Sequence, residues 1–291
     1  MKLQLSLLAV AVSSCLFLTA CDKPAQETKP AQSEATEQAA QTTTEQAATA
    51  DLSKETAEYK AWVQTQIDAL VVDTEKFVAL LKEGKTDEAK ALYPLARMYF
   101  ERSEPIAESF GDLDPRIDNR EADLEAGEVW TGFHTIEKIL WTQNTTKGTE
   151  ELADKLLSDV KELKAKIPTA EVTPELMIQG SVDLLNEVTT SKITGEEEIF
   201  SKTDLYDFRA NIEGADKIFQ ILTPKLESKN PQLVADLKAK FADVYALLNR
   251  QKVGDKDYKA YDQLTKEEIA QLAESVNKLG EPLSQMGIVM Q

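Results

Sequence analysis

The sequence predicts an all-α protein, arranged as two packed helical bundles of about four helices each. Apolar residues recur at three- and four-residue spacing through most of the chain beyond residue 50, and no stretch sustains the alternation of a strand. Glycine, proline or a capping pair interrupts the repeat at helix-length intervals.

From Glu55 to Leu81 the residues Trp62, Val63, Ile67, Leu70, Val71, Phe77, Leu80 and Leu81 form one apolar stripe, which Gly84 stops. Thr86 is placed to cap a second helix running to Phe110, in which Pro94 and Pro105 each remove an amide donor and predict kinks. Gly111 ends it, and the acidic loop "GDLDPRIDNREAD" follows. The next helix is expected over Leu124 to Trp141, with further ones over 150–166, 174–190, 204–223 and 231–251. A last helix, 266–279, starts at Thr265 with Glu268 three residues on, a capping box.

Residues 74–101 and 215–248 both read as helix, polar turn, helix. Duplication of a bundle explains this, and so does the general likeness of helical hairpins. If there are two bundles, the cleft between them is the natural site.

The first residues, "MKLQLSLLAVAVSSCLFLTAC", combine an early lysine, a short apolar core and small residues before a cysteine. That order predicts a lipoprotein signal peptide over 1–20 and lipidation of Cys21. Cys15 lies inside the discarded part, so a mature chain acylated at Cys21 has no thiol for a disulfide or a soft-metal site. Asp22 beside the lipidated position favours retention at the inner membrane, and the location expected is the periplasm. Residues 22–50 contain no aromatic residue, valine, isoleucine, leucine or methionine. With nothing to bury, residues 21–50 are expected to act as a disordered tether reaching on the order of 30 Å. The folded domain is then 51–291.

Acidic residues outnumber basic ones, 51 to 33, for a formal charge of −18. Such a surface repels nucleic acid and attracts cations.

The stretch "GFHTIEKILW" holds the only histidine, His134, with Glu137 one helical turn on. Residues three apart share a helix face, so the two side chains can hold one ion together. Bundles build metal sites from such pairs and carboxylates on facing helices. Glu101 and Glu104 form another such pair, and Glu108, Asp112, Asp114, Asp118, Glu121 and Asp123 follow. The plain alternative is an exposed or hydrogen-bonded pair. Phe133, Ile136, Ile139 and Leu140 instead place it at the edge of buried surface, where charge needs a partner. One imidazole among carboxylates suits iron(III), manganese or calcium better than copper(I). There is no HExxH pair, no cysteine nucleophile in the mature chain and no phosphate-binding glycine loop. A carboxylate-led hydrolase is the enzymatic alternative.

The stretches "EPIAESFGDLDPRID", "WTGFHTIEKILW" and "TDLYDFRANIEGADKIF" resemble the imelysin-like domain of periplasmic iron-uptake lipoproteins of the EfeO and EfeM type. The resemblance implies two helical bundles, no enzymatic role, and iron, ferric or ferrous, as cargo, with other divalent cations as alternatives. It implies metal ligands at His134, Glu137, Glu101, Glu104 and Asp118. Glu198, within the run Glu196 to Glu198, is the candidate from the second half, and a solvated loop is the other reading of that run. Asp204, Asp207, Asn211 and Glu213 read either as a polar helix face lining the cleft or as residues that cap and decorate an exposed helix, with the structural role preferred. The implied partners are a membrane iron permease and a haem peroxidase, with the lipid anchor on the membrane.

Some relatives are labelled peptidases and others look like alginate-binding proteins. An acidic polysaccharide is therefore a rival ligand, with Trp130, Trp141, Arg116 and Arg120 its nearest candidate contacts; the two tryptophans read more naturally as core. The chain departs from the family's longer members, which carry a cupredoxin domain, and has Lys202 where relatives have a histidine.

Overall fold

Helix α1 (Ser53–Lys82) runs for 30 residues because Tyr59, Val63, Ile67, Leu70, Phe77 and Leu81 recur on one face, and all are buried. The computed structural model describes residues 51–291, so the signal peptide, Cys21 and the tether lie outside the described residues. The order continues with α2 (Thr86–Ser103), α3 (Leu113–Asp118), α4 (Phe133–Gln143), α5 (Glu150–Lys166), α6 (Pro174–Thr190), α7 (Asp204–Lys229), α8 (Pro231–Arg250) and α9 (Lys266–Met290). The all-α class holds. The only strands among the described residues are the two-residue β1 (Lys252–Val253) and β2 (Asp257–Tyr258), an antiparallel pair the sequence reading did not foresee.

In the first half α1 packs on α2 and α5; in the second, α6 and α8 both pack on α9. Helix α7 joins the halves, touching α8, α6 and, along much of its length, α2. Gly214 permits that approach, since a Cβ there would stand 2.5 Å from the Arg102 carbonyl oxygen. One continuous apolar core runs through both halves, from Tyr59 and Phe77 to Phe241 and Met286. Residues 51–291 fall within one compact unit. No helix among the described residues is long and apolar enough to cross a membrane.

Four expected boundaries move. The segment after α2 is not one kinked helix: Glu104–Phe110 is a separate 3₁₀ run with Pro105 in its first turn, where a missing amide costs little. Residues 124–132 are irregular, and α4 starts only at Phe133. Gly127 and Gly132 adopt φ of 91° and 90°, outside any helix. Conversely, α7 continues past Pro224 to Lys229 and α9 past Pro282 to Met290. Buried Leu226 in the first, and Leu283, Met286 and Met290 in the second, keep the apolar stripe intact, so packing overrides the lost amide.

Candidate metal centre

Five segments meet beside α4. Helix α2 presents Tyr93, Arg97 and Glu101, spaced by four and all buried. Asp118 is the last residue of α3, His134 and Glu137 lie in the first turns of α4, and α7 contributes Asp207 and Asn211. The irregular run between Gly195 and Thr203 adds Glu197 and Glu198. Gly132 sets the spacing of α3 and α4: at its φ of 90° a Cβ would lie 2.3 Å from the Ile117 carbonyl oxygen, so only glycine lets His134 come up beside Asp118.

His134 is 2 % exposed. Its Nδ1 lies 3.3 Å from Glu137 Oε2 and 3.5 Å from the Tyr93 hydroxyl. The other Glu137 oxygen accepts the backbone N–H groups of Phe200 and Ser201 at 3.0 and 2.6 Å. Burial pushes the Glu137 carboxyl up, but the His134 hydrogen bond and charge and the Ser201 amide bring it below the usual carboxylate range. A carboxylate so placed takes the Nδ1 proton as its hydrogen bond and leaves Nε2 with a free lone pair.

Nε2 has no hydrogen-bond partner among the described residues. It faces Asp118 Oδ1 at 3.7 Å, and ligand atoms of Asp118, His134 and Glu197 all lie within 4.8 Å of one another. On the Nδ1 side, His134, Glu137 and Glu198 form a second group within the same limit. There Glu198 accepts the Ser201 hydroxyl at 2.7 Å and the Tyr93 hydroxyl at 3.3 Å; carboxylates on both sides are engaged by the protein, and among these groups only Nε2 is left without a partner. The buried orphan nitrogen therefore marks the Nε2 side as the place for a cation.

Two side chains the sequence reading missed explain where the other carboxylates go. Arg97, fully buried, pairs with Asp118, with Glu101 at 2.5 Å and with Glu198 at 2.5 Å, and Asp207 stands at 3.7 Å. Lys192, also fully buried, holds Glu101 at 3.0 Å, Glu104 at 2.9 Å and Glu197 at 3.5 Å. The Asn211 amide donates to Glu101 at 2.9 Å and Glu104 at 2.6 Å. Glu101 and Glu104, expected on the imidazole, thus face Lys192 and Asn211 one group away from it. Burial alone would raise the Glu101 carboxyl, but Lys192 and Arg97 hold it down at about 2. Burial and neighbouring Glu101 push Glu104 well up.

The signal for Arg97 was present: it falls four residues from both Tyr93 and Glu101, on the buried face of α2. Lys192 sits in a short 3₁₀ turn with no periodicity to reveal its burial. Of the 196–198 run, Glu197 and Glu198 are buried and Glu196 is exposed. Asp207 and Asn211, read as structural, line the centre, and neither Asp207 oxygen has a hydrogen-bond partner. Burial pushes the carboxyl groups of both Asp207 and Glu198 well above the usual carboxylate range, against the pull of Arg97.

The candidate polysaccharide contacts are each engaged within the protein. Arg116 is tied to Asp112, Asp159 and Glu162, and Arg120 to Asp123, Glu196 and Glu197. Trp141 packs edge-on against Tyr93 and Trp130 donates to the Asn119 carbonyl, so both serve packing.

An all-helical domain with a buried imidazole among carboxylates is the class that fold and site define: a helical-bundle protein with a candidate centre for a hard cation. The chain belongs to the imelysin family, whose family model, carrying the label Peptidase M75, matches residues 55–286. It is 54 % identical over 244 residues to an Efem/EfeO family lipoprotein of Staphylococcus haemolyticus (strain JCSC1435), covering 82 % of this chain and 85 % of that one. It is 48 % identical to Efem/EfeO family lipoproteins of Staphylococcus aureus strains MSSA476 and NCTC 8325 / PS 47, covering 82 % of this chain and 86 % of each.

Proposed function

We propose that this chain is a lipid-anchored, periplasmic iron-binding protein of an Efe-type uptake system, which captures iron and hands it to a membrane permease. The observation that carries the reading is the buried, partnerless Nε2 of His134 facing Asp118 and Glu197. In this reading His134, Asp118 and Glu197 ligate the ion, and water completes the set. Glu137 orients the imidazole and raises its basicity, the usual task of a carboxylate behind a ligating histidine. Glu198 supports from the Nδ1 side, while Glu101 and Glu104 hold Lys192 and supply negative field. Seven carboxyl groups (Glu101, Glu104, Asp118, Glu137, Glu197, Glu198 and Asp207) stand against three cations, Arg97, Lys192 and Arg120. A multivalent cation relieves that imbalance by displacing protons. The Efem/EfeO family lipoprotein relatives support a lipid anchor and a role in an Efe-type system; in this reading the anchor is Cys21 and the partners are a membrane iron permease and a haem peroxidase.

The family's peptidase label finds less support in the geometry. Metal-assisted hydrolysis needs a carboxylate free to take a proton from water, and Glu137 is committed on both oxygens. The test is calorimetric titration of the mature chain with iron, manganese, copper, zinc and calcium. The reading requires tight iron binding that disappears when His134 and Glu137 are both replaced by alanine. Unchanged iron binding in that double variant sinks it.

A further inference from the structure

The candidate cage is buried on its inner side and reaches solvent beside Asp118. Tyr93, Arg97, Glu101, Glu137, Glu198 and Asp207 are at most 1 % exposed. On that side the Asp118 side chain is 11 % exposed, and Arg120, Asp123 and Glu196 beside it are 20 %, 40 % and 47 % exposed. Arg120 lies across that opening. Its Nε and one terminal nitrogen hold Asp123 at 2.7 and 2.9 Å, and the other terminal nitrogen reaches Glu196 at 3.2 Å and Glu197 at 3.4 Å. It therefore ties the loop that follows Asp118 to the run that carries Glu197, two segments that each supply one cage oxygen. Its guanidinium is a fixed positive charge on the path a cation must take.

The geometry points to Arg120 as the gate of the cage: a tethered cation that bridges Asp123 to Glu196 and Glu197 across the solvent-facing side and swings aside for the ion to pass. Asp118 and His134 bind the ion; Arg120 governs how fast it comes and goes. Because capture and release cross the same barrier, removing the gate speeds both and leaves the equilibrium affinity nearly unchanged.

The inference rests on the iron-binding reading above, and one experiment separates the two. Mature wild-type chain and the variant Arg120→Met are mixed rapidly with iron as ferric citrate to follow capture. The loaded proteins are then mixed with excess desferrioxamine to follow release. Both rates are expected to rise about tenfold in Arg120→Met, the scale at which a single rim charge alters association. Arg116→Met, whose side chain serves Asp112, Asp159 and Glu162, should match wild type. If Arg120→Met loses helicity, Arg120→Gln, which removes the charge and keeps a polar side chain beside Asp123, should give the same acceleration. Rates within twofold of wild type overturn the gate while leaving the metal centre intact. Faster capture with slower release also overturns it, because Arg120 is then only a competitor for Glu197. No iron uptake by wild type removes the centre and the gate together.

Discussion

Arg97 Nε lies 2.5 Å from Glu198 Oε1 with both side chains fully buried, so an ion pair between the two halves of the sequence stands at the heart of the candidate centre. Burial would lower the guanidinium's hold on its proton, but Asp118, Asp207 and Glu198 outweigh it and keep Arg97 charged. Replacing Arg97 by methionine leaves those carboxylates without compensation. The expected loss is about 3–5 kcal/mol of unfolding free energy, the cost of breaking a buried pair from one side. Urea denaturation measures it. Adding Glu198→Gln to Arg97→Met should recover part of the loss; a double variant no better than the single would detach Glu198 from the pair.

His134 and Glu137 are assigned different tasks, which substitution separates. His134→Ala removes a ligand and should abolish tight iron binding, whereas Glu137→Gln keeps a hydrogen-bond acceptor behind Nδ1 and should weaken binding about 10- to 100-fold. Titration calorimetry reads both, with far-ultraviolet circular dichroism to check helicity. Equal losses in the two variants would make Glu137 a ligand itself.

The helices were legible because their signals are local: the stripe of α1 and the capping box of α9, where Thr265 and Glu268 exchange hydrogen bonds with each other's backbone, need no knowledge of the rest. The ends of α7 and α9 were not, because whether Pro224 or Pro282 stops a helix depends on what packs beyond it. In the candidate centre, His134, Glu137, Asp118 and Glu198 could be named from spacing and family resemblance. Arg97 fell on the buried face of α2, but a lone cation in a charged sequence is most often solvated, and Lys192 had no periodicity to mark its burial. Without them, Glu101 and Glu104 had no visible destination other than the imidazole.

Asp114, one turn before Asp118 on α3, makes stability depend on pH. Burial, and then the charge of Asp118, push its carboxyl from 3.8 up to about 7. The folded state therefore binds this proton more tightly than the unfolded chain. Its contribution is fully present below about pH 4 and is lost as pH rises through about 7. Asp114→Asn should flatten the pH dependence of stability across that window. At pH 7 it should stabilise the iron-free protein by on the order of 1–2 kcal/mol, allowing for solvent screening of a half-buried group. Denaturation midpoints of wild type and variant measured from pH 4 to 8 check this; parallel curves would show that Asp114 ionises freely.

Gly132 links backbone geometry to the centre most directly. At φ 90° any side chain is strained, and a Cβ would stand 2.3 Å from the Ile117 oxygen, 2.6 Å from the Ile117 carbonyl carbon and 3.1 Å from the Arg116 oxygen. Backbone atoms cannot turn away as a flexible side chain can, so the start of α4 must move off the end of α3. Ile117 precedes Asp118 and Gly132 stands two residues before His134, so that movement pulls apart two of the proposed ligands. Gly132→Ala should destabilise the protein by about 2–3 kcal/mol and weaken iron binding as well. Gly127→Ala is the matched control, with φ 91° but nothing within 4 Å of the added carbon. It should cost about 1 kcal/mol of backbone strain and leave binding unchanged. Thermal unfolding and iron titration of the two variants side by side decide the matter: equal effects would mean that the φ value, and not the contact between α3 and α4, is what Gly132 supplies.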